Sequence, residues 1–559
     1  MFRPTAVLAL ALCAASCAKV DGPPEQSPPP QEAVLGETRQ AVDSNETPSE
    51  ANAIRFLEQS SFGPKLSHVV GPAPLGTVEH VVAVGIPAAI NEQLSTPPSV
   101  FDGALTSPAL DAQFFVTAVT GPDQLRQRVA FALSQIMVIS EAGIPDPGAT
   151  PGVNSKPALA TYLNLLSANA FGNFRDLLEA VTRNPAMGRY LDMVNNRADS
   201  NNASIKPNEN YAREMLQLFT LGQYRLNING TLRRDEQGNL IRAYTEDQVQ
   251  AFARTLSGWT YGGAPCPGKG LFNPVNYVVE MIPCGGNHDS SSQELLRGFR
   301  TTADFGPDAH LRQALNNVFT DPNVPPFISK QLIQHLVTSN PTPAYVGRVA
   351  NVFKDDGTGT RGNLAAVVRA ILTDTEARGA TPPATLTATF GHLRSPALFV
   401  TSMVRWLEAS LDTQNKNPGA RLALWSRNMS QWVPRPPSVF SYYPPNAPLP
   451  VSNEEELVGP EFAILDTATV TARANFVHDL LFTSLGPNSG ITIDYALLPN
   501  APAELVPYLG RYWLHGTMSQ PLQQALNRAL YNANSGTLAR RQKLALYLLS
   551  LSPSYQIQR

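Results

Sequence analysis

Along most of this chain apolar residues recur at three- and four-residue spacings, which predicts helices rather than strands. In "PDQLRQRVAFALSQIMVIS", Leu125, Val129, Ala132, Leu133 and Ile136 share one face after a Pro122-Asp123 start signal. In "YTEDQVQAFARTLSGW", Thr245 and Gln248 have capping-box spacing, Val249, Phe252, Ala253 and Leu256 form the stripe, and Gly258 is the stop. "PPFISKQLIQHLVTSNP" repeats the logic with Phe327, Ile328, Leu332 and Leu336, ending at Asn340-Pro341. Stretches 158–170, 173–183, 310–319, 343–354, 363–374, 391–410, 465–483, 519–532 and 536–550 also have helical periodicity. One short hairpin is expected around 223–244, from the turn dipeptides Asn229-Gly230 and Gly238-Asn239. The fold class is therefore mainly α, one large helical domain over 49–559 with long Pro-rich loops; no repeat at a solenoid period is visible.

One helix carries unusual chemistry. In "KPNENYAREMLQLFTLGQY" (206–224), at about 100° per residue, Tyr211, Ala212, Met215, Leu216, Leu218 and Phe219 fall on one arc. Glu209, Asn210, Arg213, Glu214, Gln217 and Thr220 fall on the other. Glu209 and Arg213 stand at i,i+4 and can pair, and Asn210 and Glu214 share that spacing. Such a face is either solvated surface or the floor of a cleft.

Composition narrows the setting. Charged residues are only 16% of 559, below the roughly 25% of an average chain, so dense charge is worth explaining where it occurs. The net charge of −3 gives no basic excess, and nucleic acid is not an expected partner. "MFRPTAVLALALCAASCAKV" has Arg3, an apolar run from Ala6 to Leu12 and small residues before Cys17. The run is too short to span a membrane and is expected to be a lipoprotein-type signal, residues 1–16, with lipid on Cys17. Ala18 after the cysteine points to the outer membrane, facing periplasm or surface. Residues 17–48 are rich in Pro and Glu without periodicity, which predicts a tether. Cys266 and Cys284, in an exported chain, are expected to form a disulfide.

Several stretches together resemble a known family: "RFLEQSSFGP" (55–64), "DQLRQRVAFALSQIMVIS" (123–140), "NAFGNFRDLLEAVTRNPAMGRYLDMVNN" (169–196), "PNENYAREMLQLFTLG" (207–222), "YTEDQVQAFARTLSGW" (244–259), "NHD" (287–289), residues 326–353, "RPPSVFSYYPPNAP" (435–448) and "LVGPEFAILDTAT" (457–469). The likeness, over about residues 50–555, is to the bacterial domain of unknown function 1800. It implies a large exported helical protein, often encoded beside a sulfatase- or phosphatase-like partner protein, and implies no established reaction. It also includes the polar residues of the 207–222 helix and the His288-Asp289 dipeptide.

On that basis Glu209, Arg213, Glu214, His288 and Asp289 are the expected catalytic residues. Arg213 would clamp an anion or hold Glu209 charged, and Glu214 would be a general base or metal ligand. Glu214, His288 and Asp289 would hold a divalent metal. Asn210, Gln217 and Arg128 form the expected substrate-binding set, although Arg126 and Arg128 lie on a mostly apolar helix where a buried structural role competes. His335, Trp259 and Tyr261 read as core. There is no Gly-x-Ser-x-Gly elbow, His-Glu-x-x-His, phosphate loop, dinucleotide fingerprint or Cys-x-x-Cys-His haem site. Two functions stay open: a metal-assisted envelope enzyme acting on a polymer or anionic conjugate, or a non-catalytic envelope protein binding a partner protein or glycan.

Overall fold

Helices carry the architecture, and most begin where a small polar side chain or a proline can serve an open helix end. The computed structural model describes residues 47–68, 71–104, 107–144, 156–199, 204–379, 389–449, 457–532 and 538–559. The signal segment, Cys17 and the tether up to residue 46 lie outside them. Among the described residues there are 23 α-helices and only three two-stranded antiparallel pairings, so the chain is mainly α. No described helix is long and apolar enough to cross a membrane.

Capping follows the sequence. Thr245 accepts from the Gln248 amide while the Gln248 side chain accepts from the Thr245 amide, opening helix Glu246–Thr255. Gly258, at φ +83°, turns the chain out of that helix, and a Cβ there would meet His288. Helix Pro418–Asn428 crosses helix Ser107–Thr120 at Gly419, where an added Cβ would stand 2.1 Å from the Ala112 carbonyl oxygen. Only glycine permits so close an approach.

A contiguous apolar core runs from Ala53 to Tyr555 among the described residues. Long-range polar contacts shut it. Helix Glu50–Ser60 is held from Arg55 Nη1 to the Arg378 carbonyl (2.8 Å), by Glu58 with Arg394, and by Glu50 with Arg511 (2.7 Å). Arg405 donates to the Gly63 and Val119 carbonyls. At the other end of the chain, Ile557–Gln558 pairs with His392–Leu393. That strand corrects the expected helix at 391–410, whose helical part is Pro396–Trp406.

The expected hairpin is present as a loop folded twice. Arg225 donates to the Ile241 carbonyl and accepts from the Arg233 amide, and bridges join Tyr224–Arg242, Leu226–Leu232 and Arg234–Leu240. Its turns are at Gly230 (φ +78°) and Gly238 (φ +83°), as the dipeptides predict. Cys266 and Cys284 are joined by a disulfide.

Candidate functional site

The polar helix does not run as one α-helix. Asn210–Glu214 is α-helical and Met215–Thr220 is a π-helix. In the π segment the Leu221 amide reaches the Leu216 carbonyl (2.9 Å) and Thr220 Oγ1 reaches the Met215 carbonyl (2.6 Å), both five residues back. The wider turn changes which residues face inward. Thr220, on the polar arc at 100° per residue, is fully buried. Leu218, on the apolar arc, is only half-buried. π-turns inside helices are common at functional sites.

Leu218 opens onto a cavity of about 450 Å³. Gln217, Leu218 and Leu221 form one wall, and Gln135 and Ile136 from helix Gln124–Ile136 form the floor beside it. Helix Val324–Leu336 contributes Phe327, Lys330, Gln331 and Gln334. The twice-folded loop contributes Tyr224, Leu226 and Leu232, and the far side is Val439, Phe440, Pro445, Asn446 and Val458. Phe440 and Leu232, 43% and 48% exposed, make an apolar rim. Asp321 and Asn323 fix this geometry. Asn323 Nδ2 donates to the Leu221 and Tyr224 carbonyls and its Oδ1 accepts from the Leu226 amide, while buried Asp321 holds Arg225 and Arg297.

The sequence-predicted residues are distributed differently. Arg213 pairs with Glu209 (2.9 Å) and with Glu246 (2.5 Å) on the outer face of the helix, where Arg213 is 35% and Glu246 59% exposed. Screened pairs of this kind contribute little. Arg213→Ala should change unfolding free energy by less than about 1 kcal/mol in a urea titration, and a larger loss would give the triad a structural weight its exposure does not suggest. Asn210 Nδ2 donates to Asp192 Oδ2 (2.9 Å), as does Asn208 Nδ2 (3.2 Å). Gln217 lines the cavity and is 3.4 Å from the Tyr244 hydroxyl, a weak contact. Glu214 is half-buried, with Oε2 lacking a hydrogen-bond partner; burial raises its pKa, against the opposing charge of Arg213, and its charge is felt by Tyr190 and Tyr244.

His288 and Asp289 lie elsewhere, below the disulfide loop. His288 Nδ1 is 2.9 Å from the Ser257 carbonyl and Nε2 is 2.8 Å from His310 Nδ1, so both ring nitrogens are engaged. Burial lowers the His288 pKa to about 4, against the Ser257 carbonyl that favours the charged form. Asp289 accepts from Arg254 (2.9 Å) and from the amide and hydroxyl of Ser291. The expected trio Glu214, His288 and Asp289 is not gathered into a cluster: among the described residues no group of three or more His, Cys, Asp or Glu is placed to hold a metal ion. Arg128 is buried, its Nη2 donating to the His335 carbonyl (2.5 Å), and it does not line the cavity. Trp259 and Tyr261 are core, as expected.

The family described as "Protein of unknown function (DUF1800)" matches residues 55–557. The chain belongs to that family. No curated protein and no solved structure matches it. Five of the segments that carry the DUF1800 resemblance, at 123–140, 207–222, 326–353, 435–448 and 457–469, each send side chains into the one cavity. Lys330, Gln331, Gln135 and Phe440 were missed because no local spacing links them. The available signal was the run of glutamines on otherwise apolar helix faces, Gln331 and Gln334 on one helix and Gln135 on another.

Proposed function

We propose that this chain is an exported, lipid-anchored envelope protein that binds a glycan in the 450 Å³ cavity without turning it over. The observation that carries the reading is the chemistry of the lining. Six amide side chains, from Gln135, Gln217, Gln223, Gln331, Gln334 and Asn446, stand among the rings of Phe327, Phe440 and Tyr224. Among the described residues that line the cavity there is no carboxylate, imidazole, thiol or serine. An amide offers a donor and an acceptor in one plane, which suits sugar hydroxyls that do both. A flat ring suits the apolar face of a pyranose. A few convergent polar groups in a mostly apolar concavity are the ordinary make-up of a small-ligand site. The titrating groups on the lining are Lys330 and Tyr224, and the paired carboxylates that usually cleave a glycosidic bond are absent from it among the described residues.

A lipid on Cys17 and the tether behind it would hold the cavity near the membrane, where a sulfatase- or phosphatase-like partner protein could share the same polymer. The enzyme reading keeps one supporting observation, the unpartnered Oε2 of Glu214 on the helix that walls the cavity. A panel of envelope and extracellular oligosaccharides tests both readings by calorimetry on the full chain. Binding is expected, and Leu218→Trp or Phe440→Ala should weaken it at least about tenfold with little change in Tm, since both side chains touch the cavity rather than the deep core. Binding unchanged in both variants would remove the cavity reading. Turnover of a bound saccharide that disappears in Glu214→Gln would establish the enzyme instead.

A further inference from the structure

We infer that the saccharide carries an anionic group, a carboxylate or sulfate on a sugar ring, seated on Lys330 and the Gln331 amide. This rests on the reading of the cavity as a glycan site and names its substrate class. Lys330 and Gln331 are consecutive on helix Val324–Leu336, and both line the cavity. Gln331 is 8% exposed and its Nε2, a donor, has no hydrogen-bond partner. The Lys330 stem lies under the loop turn, its Cδ 3.8 Å from where a Gly230 Cβ would be, and its ammonium forms no ion pair with any described carboxylate. Burial alone lowers its pKa, with no neighbouring charge opposing.

Lys330 therefore lines the cavity without a counter-charge, next along the helix to a buried amide whose Nε2 has no protein acceptor. A lysine shielded from solvent beside a lone N–H is an arrangement that an oxyanion completes, and the resulting charge-assisted hydrogen bonds are the stronger kind. Gln135, also on the lining, has the converse, a buried Oε1 acceptor with no partner, which a small side-chain rotation would offer to a ring hydroxyl. A neutral glycan would satisfy Gln135 and leave Lys330 without a counter-charge. A free inorganic anion would satisfy Lys330 and leave the rings of Phe327 and Phe440 uncovered.

The probes are an oligogalacturonate, its methyl ester of the same length, a sulfated galactan oligosaccharide and a neutral glucan, titrated into the full chain by calorimetry. One of the two anionic probes should bind at least about tenfold more tightly than its neutral counterpart, and which one does so distinguishes carboxylate from sulfate. That preference should fall below about threefold in Lys330→Met, return in Lys330→Arg, and reverse in Gln331→Glu, whose carboxylate repels the ligand's charge without changing the side chain's shape. Circular dichroism and Tm show that each variant is folded. Equal binding of charged and neutral probes, or an anionic preference that survives Lys330→Met, overturns the inference and leaves the glycan reading standing. No binding by any of the four overturns the inference together with the reading on which it rests.

Discussion

Asp321→Ala is expected to destabilise the protein by about 3–5 kcal/mol and to abolish binding in the cavity. The carboxylate is fully buried. It accepts Arg225 Nη1 at 2.9 and 3.0 Å, Arg297 Nη1, and the amide of Asn323 at 2.9 Å. Removing it leaves the Arg225 and Arg297 guanidinium groups, 22% and 34% exposed, without their shared carboxylate and the buried Asn323 amide without its acceptor, and losing several charge-assisted hydrogen bonds at one buried acceptor is among the costlier single-residue defects. The damage is directional. Arg225 anchors the twice-folded loop, and Asn323, oriented through its amide by Asp321, holds the carbonyls of Leu221 and Tyr224. The loop wall should therefore detach before the helices melt. Urea denaturation gives the free energy, and native-state amide exchange of residues 223–243 gives the local opening. A loss below about 1 kcal/mol with protected loop amides would show that the loop is held by its own turns.

The second large effect is at Glu58. This carboxylate is buried, with Arg394 Nη2 at 2.5 Å from Oε1 and His515 Nε2 at 3.1 Å from Oε2. Burial pushes its pKa up, but Arg394 and His515 together more than offset that and hold it at about 2. Because the folded-state value is below the unfolded one, near 4.3, the unfolded chain binds more protons between the two. The stabilisation, about 3 kcal/mol, is fully present above about pH 5 and is lost as pH falls through about 2. Arg394→Met removes the cation and also the donor to the Tyr555 carbonyl, so about 3–5 kcal/mol should be lost at neutral pH. The acid limb should also move, since a buried carboxylate without its arginine protonates more readily. Unfolding free energies measured from pH 3 to pH 8 should rise steeply with pH at the low end in the native protein and less steeply in the variant. Parallel curves for the two proteins would assign the acid sensitivity to other carboxylates.

The helices were legible wherever a stripe and an end signal coincided, as at Thr245, Gln248 and Gly258, because caps and stripes act within one or two turns. The turns at Gly230 and Gly238 were legible for the same reason. The phase of the polar helix was not. A π-turn leaves no mark in a pattern of apolar and polar letters, so Thr220 and Leu218 were assigned to the wrong sides. The pairing His392–Leu393 with Ile557–Gln558 joins residues too far apart, in strands too short, for any alternation to show. The disulfide was legible from the count of cysteines outside the leading segment, although the His288 loop beside it leads to His310 rather than to Glu214. The charged candidates drew notice because charge is scarce in this chain, yet Arg213, Glu209 and Asp289 are occupied by one another or by arginines. The cavity was hidden because its chemistry is neutral and its walls are drawn from 135 to 458, with no local period to reveal them.

The early helix Glu50–Ser60 has a consequence for how the molecule is made. Glu58 meets Arg394 at a sequence separation of 336, and Glu50 meets Arg511 at one of 461. Polypeptides emerge amino end first at about 5–20 residues per second, so this helix waits roughly 20–70 s before Arg394 has been synthesised. During that interval the helix can already pack on helices Val78–Val84 and Gln124–Ile136, but the Glu58 carboxylate has neither Arg394 nor His515, and closing so long a loop is slow in any case. Completion of the amino-terminal part is thus deferred by topology. The amino-terminal helix is therefore locked in place only when the last third of the chain appears, and a holdase that shields residues 50–60 would improve the yield.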